Sequence, residues 1–173
     1  MIISVEEVKE LVDLNGWTDK KIGRMLKAIE QTIRSYTNNN FQNRGIRFEG
    51  SVSSQNIHGY VPGIKVGDTI QISESVLNKG LHVVESVEDG IITVDNELID
   101  EGHVLVTKIE YPEDVVVCLC DLLEWKKKNG SKVGIKSETL SRHSVTYEDS
   151  ATLFNGYPVG ILNGLKRYRR ARC

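Results

Sequence analysis

The chain has 173 residues, 39% hydrophobic and 27% charged, an ordinary balance for one globular domain, or for a core with a small second lobe. The formal net charge is −2, and the three cysteines are an odd count that argues against a disulfide scaffold. No apolar run approaches the roughly 20 residues of a membrane span, and the apolar start leads at once into an acidic helix with no small-residue cleavage site, so a soluble protein made in the cytosol, with no membrane partner, is the expectation.

Ser4 and Glu7 in "SVEE" have capping-box spacing, and a short helix is expected from Val5 to about Leu14, stopped by Asn15-Gly16. Thr18 or Asp19 caps a second, longer helix. Its apolar positions, Ile22, Leu26, Ile29, Ile33 and Tyr36, recur with the 3.6-residue period. Asn38-Asn39-Asn40 ends it, because asparagine tolerates the left-handed conformation of a C-terminal cap.

From Gly45 the texture changes to short strands and turns. "DTIQIS" (68–73) alternates apolar and polar residues. "LHVVESV" (81–87) and "IITV" (91–94) flank Asp89-Gly90, a strong hairpin signal. "NKG" (78–80) marks another turn, and "HVLVTKI" (103–109) closes the set. About five strands in this stretch predict a small antiparallel barrel or curled sheet.

Pro112 opens the third helix, and Glu113 and Asp114 suit the positive end of its dipole. "VVVCLCDLLEW" is apolar on most faces, so a central, buried helix is expected; Lys126 to Lys128 and Asn129-Gly130 finish it. A loop or extended arm spans about 131–150. A last helix is expected from near Pro158, carrying Ile161, Leu162, Leu165 and Tyr168. The fold class expected is α+β: a small helical bundle of about four helices, residues 1–45 and 110–173, with a small antiparallel β module inserted at 46–109.

Chemistry is hard to find in these residues. "GIKSETLSRHSVTYEDS" (134–150) gathers Ser137, Glu138, Ser141, His143, Ser144 and Asp149, but no sharp Gly-flanked turn presents a nucleophile. A Ser and a His adjacent on a strand face opposite sides. The histidines at 58, 82, 103 and 143 lack zinc spacing. Cys118 and Cys120, two apart in a helix, point to nearly opposite faces and clasp no common metal. "GIKVGD" and "GSKVGIK" lack phosphate-loop spacing. What stands out is charge. Leu81 to Thr107 holds seven acids and no Lys or Arg, whereas the last eight residues, "KRYRRARC", hold five bases. Such asymmetry speaks of partners, and a DNA-binding module using the basic tail is one reading of it.

At two places the residues match a known pattern. One is "IGRMLKAIEQTIRSYTNNNF" (22–41), a helix ending in an Asn-rich turn before an aromatic residue. The other is "VGIKSETLSRHSVTYEDS" followed by "GYPVGILNGLKRYRRAR" (156–172). With these the chain resembles the head–tail connector (head-completion or adaptor) proteins of tailed bacteriophages, over somewhat more than half its length. The segment Pro112 to Trp125 is similar to the central helix of that family; the β module departs from its smaller helical members.

The resemblance implies a structural role, with no catalytic residue, no cofactor and no metal. Connectors of this kind form a ring of about twelve copies beneath the portal protein. The ring extends the DNA channel, with DNA as passing cargo only, and carries the next head-completion (stopper) protein or the tail. The implied setting is the virion head–tail interface, after synthesis in the host cytoplasm. On this reading the arm, through Ser137, Glu138, Leu140, Arg142, Val145, Tyr147 and Glu148, lies on the neighbouring copy, as an exposed strand edge permits. Leu165, Lys166, Arg167, Tyr168, Arg169, Arg170 and Arg172 form the portal-docking element.

Overall fold

The structure, a computed structural model, describes residues 2–129, 137–140, 143–146 and 153–171. The chain divides into two compact units, one spanning Asn40–Tyr111 and the other Ile2–Asn39 with Pro112–Cys173.

The first unit is a closed six-stranded antiparallel barrel. Its strands are β1 (Gln42–Ser53), β2 (Asn56–His58), β3 (Thr69–Ser73), β4 (Gly80–Glu88), β5 (Ile91–Val94) and β6 (Glu101–Ile109), in the order β1-β2-β5-β4-β3-β6 with β6 returning to β1. Alternation sets the faces: Ile70 and Ile72 of β3 and Val104 and Val106 of β6 point into one core with Val52, Ile57, Val84 and Ile92. Two hairpins turn on pairs of residues with positive φ. Asp89-Gly90 (49°, 80°) joins β4 to β5, and Ser54-Gln55 (52°, 66°) joins β1 to β2. Register shifts between Asn43 and Arg47, and between Gly50 and Val52, bend β1 around the barrel. At Gly50 a Cβ would stand 2.5 Å from the His58 carbonyl, so only glycine lets those backbones meet.

This barrel corrects the expected fold class. The molecule is not a helical bundle with a small inserted β module, because the strands form a closed barrel with its own apolar interior. The strands the sequence concealed are β1 and β2. "QNRGIRFEGSVS" carries no clean alternation because its twelve residues bend at two bulges, so its inward and outward positions change phase. The turn after it is Ser-Gln rather than Asn-Gly, so it lacks the residues that usually announce a two-residue hairpin. β1 is held mainly by pairing with β6, some sixty residues away, from Gln42↔Ile109 to Val52↔Glu101.

In the second unit, α1 (Val5–Leu11) begins with the Ser4–Glu7 capping box, and α2 (Asp19–Thr37) with Thr18 accepting from the Lys21 N–H. The whole predicted stripe of α2 is buried. Asn38, at φ 47°, caps its end in the left-handed conformation. α2 packs on α3 (Glu113–Asn129). The inner face of α3, with Val115, Leu119, Leu122 and Leu123, is buried, but Val117 is 59% exposed, so this helix is not apolar-buried on most faces. The backbone of β7 (Ser137–Leu140) and β8 (His143–Thr146) forms a two-stranded hairpin, and β9 (Leu153–Phe154) pairs with β10 (Tyr157–Pro158). The expected last helix is a single turn, α4 (Val159–Leu162), followed by a 3-10 turn over Asn163–Tyr168. Among the described residues no helix is long and apolar enough to cross a membrane.

Candidate functional site

Two features of the helical unit bear on function: the β7–β8 hairpin and the basic segment after α4. The hairpin register is Ser137↔Thr146, Glu138↔Val145, Thr139↔Ser144 and Leu140↔His143. The sheet has two strands only, so neither outer edge is paired with another strand among the described residues. Of the residues assigned to the arm, Ser137, Glu138, Leu140 and Val145 lie in these strands; Arg142, Tyr147 and Glu148 lie outside the described residues. Ser141 and Asp149, weighed as catalytic candidates, also lie outside them. His143 and Ser144 are consecutive in β8.

The basic segment is fastened to the end of α2 and to the start of α3. Leu162 and Leu165 are buried, which roots the 3-10 turn in the core. The Arg170 N–H donates to the Thr37 carbonyl at 2.8 Å. Asn39 donates its amide to the Tyr168 carbonyl (3.2 Å), and Asn38 donates to the Ala171 carbonyl (3.0 Å). The Asn-rich turn therefore caps α2 with its backbone and grips the carboxy-terminal segment with its side chains.

A second tie reaches the start of α3. The Tyr168 hydroxyl donates to Asp114 at 2.8 Å, Arg167 pairs with the same carboxylate, and Arg167 also donates to the Tyr168 hydroxyl at 2.9 Å. Partial burial would raise the Asp114 pKa, but the hydrogen bonds from Tyr168 and Arg167, with the guanidinium charge, outweigh it and hold the carboxyl below the usual range. Burial, then the bond to Asp114, push the Tyr168 hydroxyl up.

The residues assigned to portal docking thus separate. Leu165 is a core residue, and Arg167 and Tyr168 are engaged by Asp114. Lys166, Arg169 and Arg170 are exposed, with the Arg169 guanidinium 5.3 Å from the Tyr36 ring centre. Arg172 lies outside the described residues. Sequence reasoning read the arginines but missed Asp114 as their anchor, since the two lie 53 positions apart.

Elsewhere the titratable groups are dispersed. His58 Nε2 lies 3.3 Å from the Ser53 carbonyl, His82 Nε2 3.1 Å from the Asn78 carbonyl, and His103 3.4 Å from Glu74. Among the described residues no three His, Cys, Asp or Glu side chains come together in a group able to hold a metal ion. Burial, with the charges of Asp121 and Asp114 behind it, pushes the Cys118 thiol up to about 12, and burial also raises that of Cys120. Both are poor nucleophiles, since the thiolate is the reactive form. No family model matches the chain, and no curated protein is significantly similar to it.

Proposed function

We propose that the chain is an assembly protein of the head–tail connector kind, forming a ring beneath the portal of a tailed phage and offering a platform to the next head-completion or tail protein. The observation that carries the reading is the β7–β8 hairpin, a two-stranded sheet with both outer edges unpaired among the described residues. An isolated two-stranded hairpin is marginally stable in water, and pairing with another chain satisfies its open donors and acceptors. A contact between unlike surfaces of identical copies repeats, and closes when the rotation permits. The resemblance in the segments around this hairpin gives the ring its setting at the portal.

The test is assembly on purified portal, followed by sedimentation and imaging. A ring on the portal is expected for the native chain. The Val145→Asp/Tyr147→Asp variant should keep its circular dichroism spectrum and lose the ring, because unpaired charges at a packed contact are unfavourable. A chain that joins neither portal nor other copies, but shifts duplex DNA in a salt-dependent way, would instead be a DNA-binding module acting through the basic tail.

A further inference from the structure

One end of the barrel carries an apolar surface that is unusually well held. The loop from 74 to 79 exposes Val76 (89%) and Leu77 (53%), and the loop before β6 exposes Ile99 (57%). Single exposed apolar side chains need no explanation, but these sit on a built scaffold. Asn78 is buried, donates its amide to the Ile99 carbonyl and accepts from the Ile99 N–H, both at 2.8 Å, so one side chain joins the two loops. The Glu101 carboxylate accepts from the Ser75 hydroxyl (2.6 Å), the Val76 N–H (2.7 Å) and the Asn78 amide (3.0 Å). His82 Nε2 donates to the Asn78 carbonyl at 3.1 Å. Polar side chains are used here to present apolar ones to water in a set position. Fixing a surface beforehand removes ordering entropy from a later association.

The charge around this tip says what fits it. Glu74, Glu97 and Asp100 flank the apolar residues and are exposed, with one exposed base, Lys79, in the same loop as Val76 and Leu77. Residues 40–111 hold eleven acids and five bases, a charge of −6, while the rest of the chain holds thirteen acids and seventeen bases, a charge of +4. The carboxy-terminal turn exposes the bases Lys166, Arg169 and Arg170. Arg169 stands over Tyr36, and the half-buried Phe154 meets Tyr36 edge-on at 5.4 Å. An apolar knob with a mostly acidic rim and a turn of exposed bases, whose Arg169 lies over the buried Tyr36, are complementary in charge.

We propose that the barrel tip of one copy docks on the basic carboxy-terminal turn of a second copy, in a head-to-tail contact between unlike surfaces. Such a contact repeats from copy to copy; it deepens the assembly reading above and rests on that reading for closure into a ring. The contact weakens as salt rises, because its charged rim is screened.

Charge reversal in two halves tests it on the full chain. One variant carries Glu74→Lys/Glu97→Lys, the other Lys166→Glu/Arg170→Glu; all four side chains are exposed, and the Arg170 N–H bond to Thr37 is a backbone bond that both variants keep. In sedimentation at low salt the native chain should associate with rising concentration, each variant alone should associate about tenfold more weakly or worse, and an equal mixture of the two should recover native association, since each reversed surface then meets its opposite. Val76→Ser/Leu77→Ser, which changes no charge, should weaken association too. A native chain that stays monomeric, variants that associate like the native chain, or a mixture that fails to recover would each overturn the contact. If the reversed variants still form rings on portal, the assembly reading stands and this contact is wrong. If the native chain associates through the tip but never joins portal, the contact stands and the connector reading falls.

Discussion

Asp114 and Cys118, one helical turn apart on α3, show how single groups are set by their surroundings. Because the Asp114 pKa is depressed in the folded chain, its contribution to stability is present above the ordinary aspartate value and is lost as pH falls below about 4. Asp114→Asn should speed hydrogen exchange at the Arg170 N–H, because the carboxy-terminal turn loses one of its two ties; unchanged exchange would mean that the Asn38 and Asn39 grip suffices. Cys118 has the opposite sign. Its raised pKa favours the folded state below the ordinary thiol value, and that advantage is lost as pH climbs from about 8.5 toward the folded value. The native chain should therefore leave Cys118 unreacted with a chromogenic disulfide near pH 8, and denaturant should release it. Prompt reaction in the native state would show the site to be open. Sequence spacing correctly separates Cys118 from Cys120, but the burial that silences the thiol comes from elements far along the chain, among them the Ile161 carbonyl 3.7 Å from its sulfur.

The hairpins and helix ends differ in how openly the chain announces them. Capping residues act within one turn, so Ser4, Thr18 and Asn38 are readable where they stand. Thr18→Ala should cost about 1 kcal/mol in a urea unfolding curve, as the loss of a helix cap does. The Ser54-Gln55 turn adopts the same positive-φ geometry as Asp89-Gly90 without the favoured residues. Ser54→Asn/Gln55→Gly should therefore stabilise the chain by about 0.5 to 1 kcal/mol, since glycine removes the left-handed penalty but loosens the unfolded chain. A lowered urea midpoint would show that the Ser54 or Gln55 side chain contributes contacts worth more than the strain.

As a whole, the molecule is two compact units of opposite charge, and the barrel unit enters and leaves the chain at one place. The Glu110 N–H donates to the Phe41 carbonyl at 2.9 Å, and Gln42 pairs with Ile109, so the two ends of Asn40–Tyr111 are adjacent strands. With its own core and no exposed sheet edge, this unit should fold alone when expressed as residues 40–111 and show a cooperative thermal transition. A non-cooperative melt would mean that its core is incomplete without the helices. Within the helical unit, Leu122→Ala should cost about 2 to 5 kcal/mol, the range for a fully buried leucine whose cavity cannot collapse.

What the sequence by itself determined is what short range controls: the capping box of α1, the buried stripe of α2, the start of α3, the Asp89-Gly90 hairpin and the segregation of acids from bases. Tertiary structure alone decided the closure of six strands into a barrel, the pairing of β1 with β6, the stapling of Arg167 and Tyr168 to Asp114, and the joining of two loops by Asn78 into one apolar tip. The reason is physical. Propensity, periodicity and capping act over a few residues and leave a mark in the local pattern. A ladder or hydrogen bond between residues twenty to sixty positions apart depends on which chain segments meet, and its partners carry no mark of one another until the fold brings them together.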